Sequence, residues 1–179
     1  YFYASVEEVA TNATAEDVEK ELRAQVQRAI DFGIKPSHLD SHMGTLFSRP
    51  EFFKSYQKIG KEFGIPVMIP AGSINQAPHL KALIDPWFIP IDQLYMASPP
   101  IAEADWSNFY SDILNKLAPG LNEIIIHLGY DDTELQAVTM DHPDFGAAWR
   151  QWDLDFVMSD KFQTLLKANN IQLVTYGQI

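Results

Sequence analysis

Three consecutive isoleucines, Ile124, Ile125 and Ile126, set the tightest limit on what this chain can fold into. With Asn122-Glu123 before them and His127 after, they read as a β-strand. A β-branched run with no polar alternation suits a strand covered on both faces, as in a parallel sheet. Parallel strands need crossover connections, so helices are expected on either side in sequence.

The rest of the chain supplies them. Ser5 and Glu8 have capping-box spacing, and Thr14 followed by Glu16 and Asp17 reads as a helix start. That helix runs to about Phe32, with Val18, Leu22, Val26 and Ala29 along one side. Gly33 and Pro36 end it. A short strand is expected around residues 37–43. Pro50 in a first turn opens a helix carrying Phe53, Tyr56, Ile59 and Phe63, stopped by Gly64. Residues 66–70 read as a buried strand between two prolines. Residues 71–105 hold Pro78, Pro86, Pro90, Pro99 and Pro100, which forbid long regular elements, although 88–91 and 93–96 could each be a strand. Helices are expected over 106–117, over most of 145–157, and from the Ser159 cap to Leu166, with a final strand over 171–176. The alternation of helix and strand argues for an α/β fold with a parallel sheet, open or closed into a barrel.

The bulk properties narrow the function. A length of 179 residues suits one domain, 1–179, with a sizeable core. Apolar content of 46% and charged content of 21% fit a globular protein. The net charge of −11 has no basic stretch within it, which argues against nucleic acid and anionic membrane as partners. No apolar run approaches membrane-spanning length. The absence of cysteine removes disulfides, zinc–thiolate sites and thiol chemistry. The sequence opens on Tyr1-Phe2-Tyr3 rather than Met, so an N-terminal part is expected to be missing.

Chemistry concentrates in Ser37-His38-Leu39-Asp40-Ser41-His42-Met43. Two imidazoles and a carboxylate within five residues seldom serve a core, because each one buried needs a partner. In an extended chain His38, Asp40 and His42 share one face, and Leu39 and Met43 take the other. His38 and His42 would then stand roughly 13 Å apart at Cα, too far to share an ion easily unless the chain turns after Asp40. His42 and His127 each fall at the C-terminal end of an expected strand, where parallel α/β folds carry their chemistry. His79 and His142, beside prolines in loops, read as ordinary surface residues.

These residues carry a resemblance. Pro36-Ser37-His38-Leu39-Asp40-Ser41-His42, after the Glu21–Gln25 helix segment, resembles the Pro-Thr-His-Leu-Asp-Ser-His signature of YdjC-like carbohydrate deacetylases. Glu123-Ile124-Ile125-Ile126-His127-Leu128-Gly129-Tyr130 is similar to that family's Glu-x-x-x-His-Pro-Gly-Tyr block. Arg150 with Asp153-Leu154 fits its C-terminal part. The resemblance implies a distorted TIM-like (β/α) barrel, here incomplete, and a divalent metal ion, Zn or Mg. It places the ion on His42 and on an aspartate and a histidine of an N-terminal segment without counterpart in these residues, with His38 as a further candidate ligand. There are two departures, Met43-Gly44-Thr45 after the signature and Leu128 for the family's proline; the Met-Gly-Thr variant looks like a secreted or periplasmic bacterial subgroup and leaves the sugar unspecified.

The implied reaction is removal of N-acetyl groups from an oligo- or polysaccharide. Amide hydrolysis needs an activated water, a stabilised oxyanion and a proton for the leaving amine. The ion serves the first two. His127 would be the general acid, since imidazole titrates near working pH. A base carboxylate is expected in the missing N-terminal segment, with Asp40 as the nearby substitute for the catalytic base, and Arg150 and Tyr130 are candidates to hold the sugar. Two alternatives stand beside this: an inactive carbohydrate-binding relative, suggested by the missing ligands and the aromatic residues of 87–110, and a metal-dependent hydrolase of another ester. A homodimer stays open.

Overall fold

The computed structural model describes residues 3–179, Pro143 by its main chain alone; Tyr1 and Phe2 lie outside the described residues. The chain folds as two compact units, one comprising residues up to Gln93 together with Val174–Ile179, the other Leu94–Leu173.

The first unit starts with helix α1 (Val6–Asn12), where the Ser5 hydroxyl accepts the Glu8 N–H, and α2 (Ala15–Asp31). The Thr14 hydroxyl accepts the Asp17 N–H at 3.1 Å and the Thr14 N–H reaches back to the Asp17 carboxylate at 3.2 Å, a reciprocal cap that satisfies two donors with no intrahelical partner. Hydrogen bonds from Thr14 hold the Asp17 carboxyl below the usual aspartate range.

Helix α3 (Pro50–Phe63) carries the core. Phe52, Phe53, Tyr56 and Ile59 are wholly buried, and Gly64 in the left-handed conformation (φ 67°) stops the helix where the sequence places the stop. Gly60 lets α3 approach the sheet: a Cβ there would lie 2.7 Å from both the Ile65 carbonyl and Val67 Cγ1. Strand β1 (Val67–Pro70) follows and pairs in parallel with β2 (Phe88–Ile91), Val67 opposite Phe88. Leu39 adds one parallel rung on β1, its N–H donating to the Pro66 carbonyl and its carbonyl accepting from Met68 N–H, both at 2.9 Å.

Between β1 and β2 the chain forms α4 (Ala71–Gln76) and a 3₁₀ helix, Pro78–Leu83. The proline density of 71–105 had pointed to irregular chain. Proline blocks long elements, but it is compatible with a first helical turn, and Pro78 sits in one.

Strand β3 (Gln93–Met96), in the second unit from Leu94 onward, pairs with β4 (Asn122–Ile125). Helices α5 (Glu103–Lys116), α6 (Thr133–Val138), α7 (Ala147–Val157) and α8 (Asp160–Ala168) complete it. Its core joins Trp106, Tyr110 and Leu114 of α5 to Trp149 and Phe156 of α7 and Leu166 of α8. The isoleucine strand is half-buried along its length, not covered on both faces as its sequence suggested. Among the described residues its sheet is two-stranded.

The architecture is mixed α/β with parallel pairing. Among the described residues the strands form two two-stranded sheets and no closed barrel. Residues 171–176 make no strand. Thr175 instead caps a 3₁₀ helix, Tyr176–Gln178, through Gln178 Oε1, a local bond that competes with ladder pairing. No described helix is long and apolar enough to cross a membrane.

Two measurements check these assignments. The buried Tyr56 hydroxyl lies 2.5 Å from the Leu39 carbonyl and 3.0 Å from the Met68 carbonyl, and accepts the Met68 N–H at 3.1 Å. Tyr56→Phe removes these contacts while the Met68 N–H keeps its bond to the Leu39 carbonyl, and should cost about 0.5–1.5 kcal/mol in urea unfolding. On the surface, Arg23 bridges Glu19 and Glu62 at 2.9 and 2.7 Å. Lys58 and then Arg23 hold the Glu19 carboxyl below its usual value of 4.5, and Arg23 does so for Glu62. Their contribution to stability is therefore present above pH 4.5 and lost as pH falls through the lowered folded values. Thermal melts at low salt should show that decline, and Arg23→Gln should make it shallower.

Candidate functional site

In the first unit the signature segment is anchored on both sides. Leu39 supplies its single rung, and Leu46 and Phe47 are buried in the core. Between them Ser41 is buried, its hydroxyl accepting the Leu46 N–H at 2.9 Å and its carbonyl accepting from Gly44 N–H at 2.8 Å. His42 opens a 3₁₀ helix, His42–Phe47, in which Met43 (φ 55°) and Gly44 (φ 69°) are left-handed. A left-handed methionine carries strain of about 1–3 kcal/mol, and such strain gathers at working sites.

This geometry corrects the extended reading of 37–43. The bridge is confined to Leu39, and His42 already belongs to the helix beyond it. Hence His38, Asp40 and His42 do not line one face of a strand. Met43 does not face inward with Leu39 either; it is 70% exposed, because its positive φ turns the chain.

The three candidates stand in different surroundings. His42 and Asp40 are exposed, while His38 is half-buried. The His38 ring stacks on Tyr176 with centroids 3.6 Å apart and planes at 22°, and its Nδ1 lies 3.1 Å from the Ser37 hydroxyl. Tyr176 is itself held by its hydroxyl, which donates to Met68 Sδ at 3.2 Å. Among the described residues no three His, Asp or Glu side chains group closely enough to hold a metal ion. The residues described do not by themselves fit the expected Zn or Mg site. His42, exposed on a fixed turn, is placed to offer one bond to an ion.

The second unit places His127 two residues past the end of β4. Helix α7 grips the chain there at alternate positions. The Asp153 carboxylate accepts the His127 N–H at 2.8 Å, the Arg150 carbonyl accepts Gly129 N–H at 3.4 Å, and Gln151 Oε1 accepts Asp131 N–H at 3.0 Å. Gly129 packs closely here: a Cβ would lie 2.5 Å from Leu135 Cδ2, the end of a side chain that could turn aside, and 3.4 Å from Arg150 Cβ. The half-buried His127 ring meets Phe145 edge-on, with centroids 5.9 Å apart. Tyr130 is 70% exposed, on the solvent side of the same loop. Arg150 Nε donates to the Phe145 carbonyl at 3.0 Å, so a substrate contact from Arg150 would use its Nη groups.

Asp153 is the residue whose role the sequence left unread. It is 1% exposed, and its other oxygen accepts from Trp106 Nε1 at 3.0 Å and the Tyr110 hydroxyl at 2.5 Å. Burial, and then the hydrogen bond to Asp153, push the Tyr110 hydroxyl far above the usual tyrosine range, so it stays a donor. The signal was in the spacing. Trp149, Asp153 and Phe156 follow one another at steps of four and three, which puts a carboxylate in an apolar stripe. His79 and His142 are exposed, as expected of surface residues.

An open groove of about 510 Å³ runs along α5, lined among others by Tyr95, Asp105, Asn108, Phe109 and Asp112. It includes none of the candidate histidines.

The protein belongs to the YdjC-like family, whose model matches residues 1–168. Its curated relatives include a carbohydrate deacetylase of Thermus thermophilus, 28% identical over 145 residues, covering 77% of this chain and 53% of the relative. Carbohydrate deacetylase 2 of Listeria innocua is 27% identical over 166 residues, covering 92% of this chain and 60% of the relative. The chain thus spans between half and two thirds of the length of these relatives. A crystal structure of an Enterococcus faecalis protein, provisionally assigned to cellobiose-phosphate cleavage, superposes with a TM-score of 0.75 at 14% identity, covering 99% of this chain and 66% of that one. At that identity the likeness is one of fold.

The His38 stack can be checked directly. In Tyr176→Leu the ring-current shielding disappears, so the His38 ring protons should move downfield in the NMR spectrum. Resonances unchanged from wild type would mean that the two rings do not stack in solution.

Proposed function

We propose that this chain forms part of a carbohydrate deacetylase that removes N-acetyl groups from an oligo- or polysaccharide with the help of a divalent metal ion. The observation that carries the reading is His127: a half-buried imidazole just beyond a strand end, braced by Phe145 and gripped through its main chain by a buried carboxylate. Relatives named carbohydrate deacetylase support the class. Imidazole transfers protons near neutral pH, and a ring held still transfers them to one place.

In this reading His127 protonates the departing amine. His42 would offer one bond to zinc or magnesium, with further ligands from outside residues 3–179, and the ion when bound would activate water and polarise the amide carbonyl. His38, braced on Tyr176, would support an ion site rather than coordinate the ion. Asp40, exposed beside His42, is the candidate among these residues to take a proton from water. Tyr130 and the Nη groups of Arg150 would meet the sugar. The distorted TIM-like barrel and a secreted or periplasmic bacterial setting belong to the same proposal.

A second reading, a carbohydrate-binding relative without catalysis, is favoured by the α5 groove, whose lining includes Tyr95 and Phe109 together with Asp105 and Asn108. Aromatic faces with flanking hydrogen-bonding groups suit a sugar ring.

Acetate release from N-acetylglucosamine oligomers by the full-length protein separates the two. His127→Ala and His42→Ala should each lower kcat by about 10²-fold or more. Zn²⁺ titration by calorimetry should show an affinity that His42→Ala weakens. Release unchanged in either variant removes that residue from the mechanism. Oligomer binding without release, lost in Tyr95→Ala, would favour the second reading.

A further inference from the structure

The second unit contains a buried carboxyl group that proton transfer does not itself require. Asp153 is 1% exposed, and the partners of its carboxylate named here are neutral: the Trp106 indole N–H, the Tyr110 hydroxyl and the His127 main-chain N–H. Burying a carboxylate is costly unless its lone pairs are matched by donors. For packing alone, an apolar side chain between Trp149 and Phe156 would serve this core better. The carboxylate does one thing that an apolar group cannot do, which is to hold a main-chain N–H beyond the end of β4.

The arrangement has a direction. Trp106 and Tyr110, one turn apart on α5, fix one carboxylate oxygen at 3.0 and 2.5 Å. The other oxygen is thereby aimed at the His127 N–H, 2.8 Å away. The same helix that carries Asp153 receives Gly129 and Asp131, so the chain from 127 to 131 is held at every second residue. Phe145 then limits the ring itself.

We propose that Asp153 is a positioning residue for His127: its buried carboxylate, aimed by Trp106 and Tyr110, sets the main chain at His127 so that the imidazole meets the substrate in one orientation. This rests on the reading of His127 as proton donor.

The chemistry of the cradle supplies a sharp test. The indole and main-chain N–H groups donate only, whereas a tyrosine hydroxyl also accepts. In Asp153→Asn the amide therefore opposes a donor in either orientation. With its nitrogen toward His127 it loses the main-chain bond, and turned over it meets Trp106 Nε1. Adding Trp106→Phe removes that conflict. The amide nitrogen can then donate to Tyr110 while its oxygen accepts from His127.

The experiment uses the full-length protein with N-acetylglucosamine oligomers. Asp153→Asn should lower kcat by about 10²-fold with KM changed less than about twofold, as displacement of a reacting group does. Asp153→Asn with Trp106→Phe should recover about tenfold of that loss, against the worsening that a second core truncation alone would bring. In the wild type, NMR should detect a coupling across the hydrogen bond between His127 ¹⁵N and Asp153 ¹³Cγ. Undiminished kcat in Asp153→Asn, a double variant slower than the single one, or absence of the coupling overturns the proposal. Should Asp153→Asn not fold, the wild-type coupling and Tyr110→Phe decide. Tyr110→Phe removes the shorter of the two bonds that fix this oxygen and should lower kcat several-fold at constant KM, and an unchanged kcat overturns the proposal. A wild type with the coupling but no acetate release means that the deacetylase reading fails while the hold on His127 stands.

Discussion

A main chain that leaves a strand loses its ladder partners at once, and the N–H and carbonyl groups stranded there must be satisfied. The strands here are four residues each, so such ends are frequent. In each unit one buried side chain meets the need where it matters. The Tyr56 hydroxyl reaches the Leu39 and Met68 carbonyls and the Met68 N–H, fastening the signature segment to β1. The Asp153 carboxylate takes the His127 N–H just past β4. Both groups come from helices that pack a core, so their positions are set by burial and their polar atoms are spent on loops.

That economy explains how short strands can present titratable side chains in defined places. Loops carry chemistry well when a rigid scaffold holds them. His42 stands on a turn pinned by Leu39 before it and by Leu46 and Phe47 after it. His127 stands on a segment held at alternate residues by α7. In both cases the imidazole follows a strand or a strand rung, the place where α/β folds gather their function.

Family membership rests on a match across nearly the whole chain, whereas the relatives whose names carry an activity extend beyond the part this chain matches. The chain's own residues bear on that activity unequally. His127 has its supports within its own unit. The grouping of His, Asp and Glu that an ion would need is not made by the described residues. His38, which the motif alone offers as a ligand, is engaged by the Tyr176 ring, a residue 138 positions away in the numbering.

Local chemistry determined much of this protein from the sequence alone. The caps at Ser5, Thr14 and Ser159, the stop at Gly64 and the strand within 66–70 follow from hydrogen-bonding side chains, backbone freedom and apolar periodicity and are where those rules put them, whereas 88–91 and 93–96 were legible only as segments that could be strands. The motif that carries His38, Asp40 and His42 was equally legible. Tertiary structure decided what each residue does there. It turned 37–43 from a strand into a rung and a strained turn, replaced the strand at 171–176 with a cap, and left the isoleucine strand half-buried. It also gave Asp153, Tyr56 and Tyr176 their tasks. Periodicity reports which face of an element is apolar, but the partner of a buried hydroxyl, carboxylate or ring is chosen by residues far along the chain, and only packing brings them together.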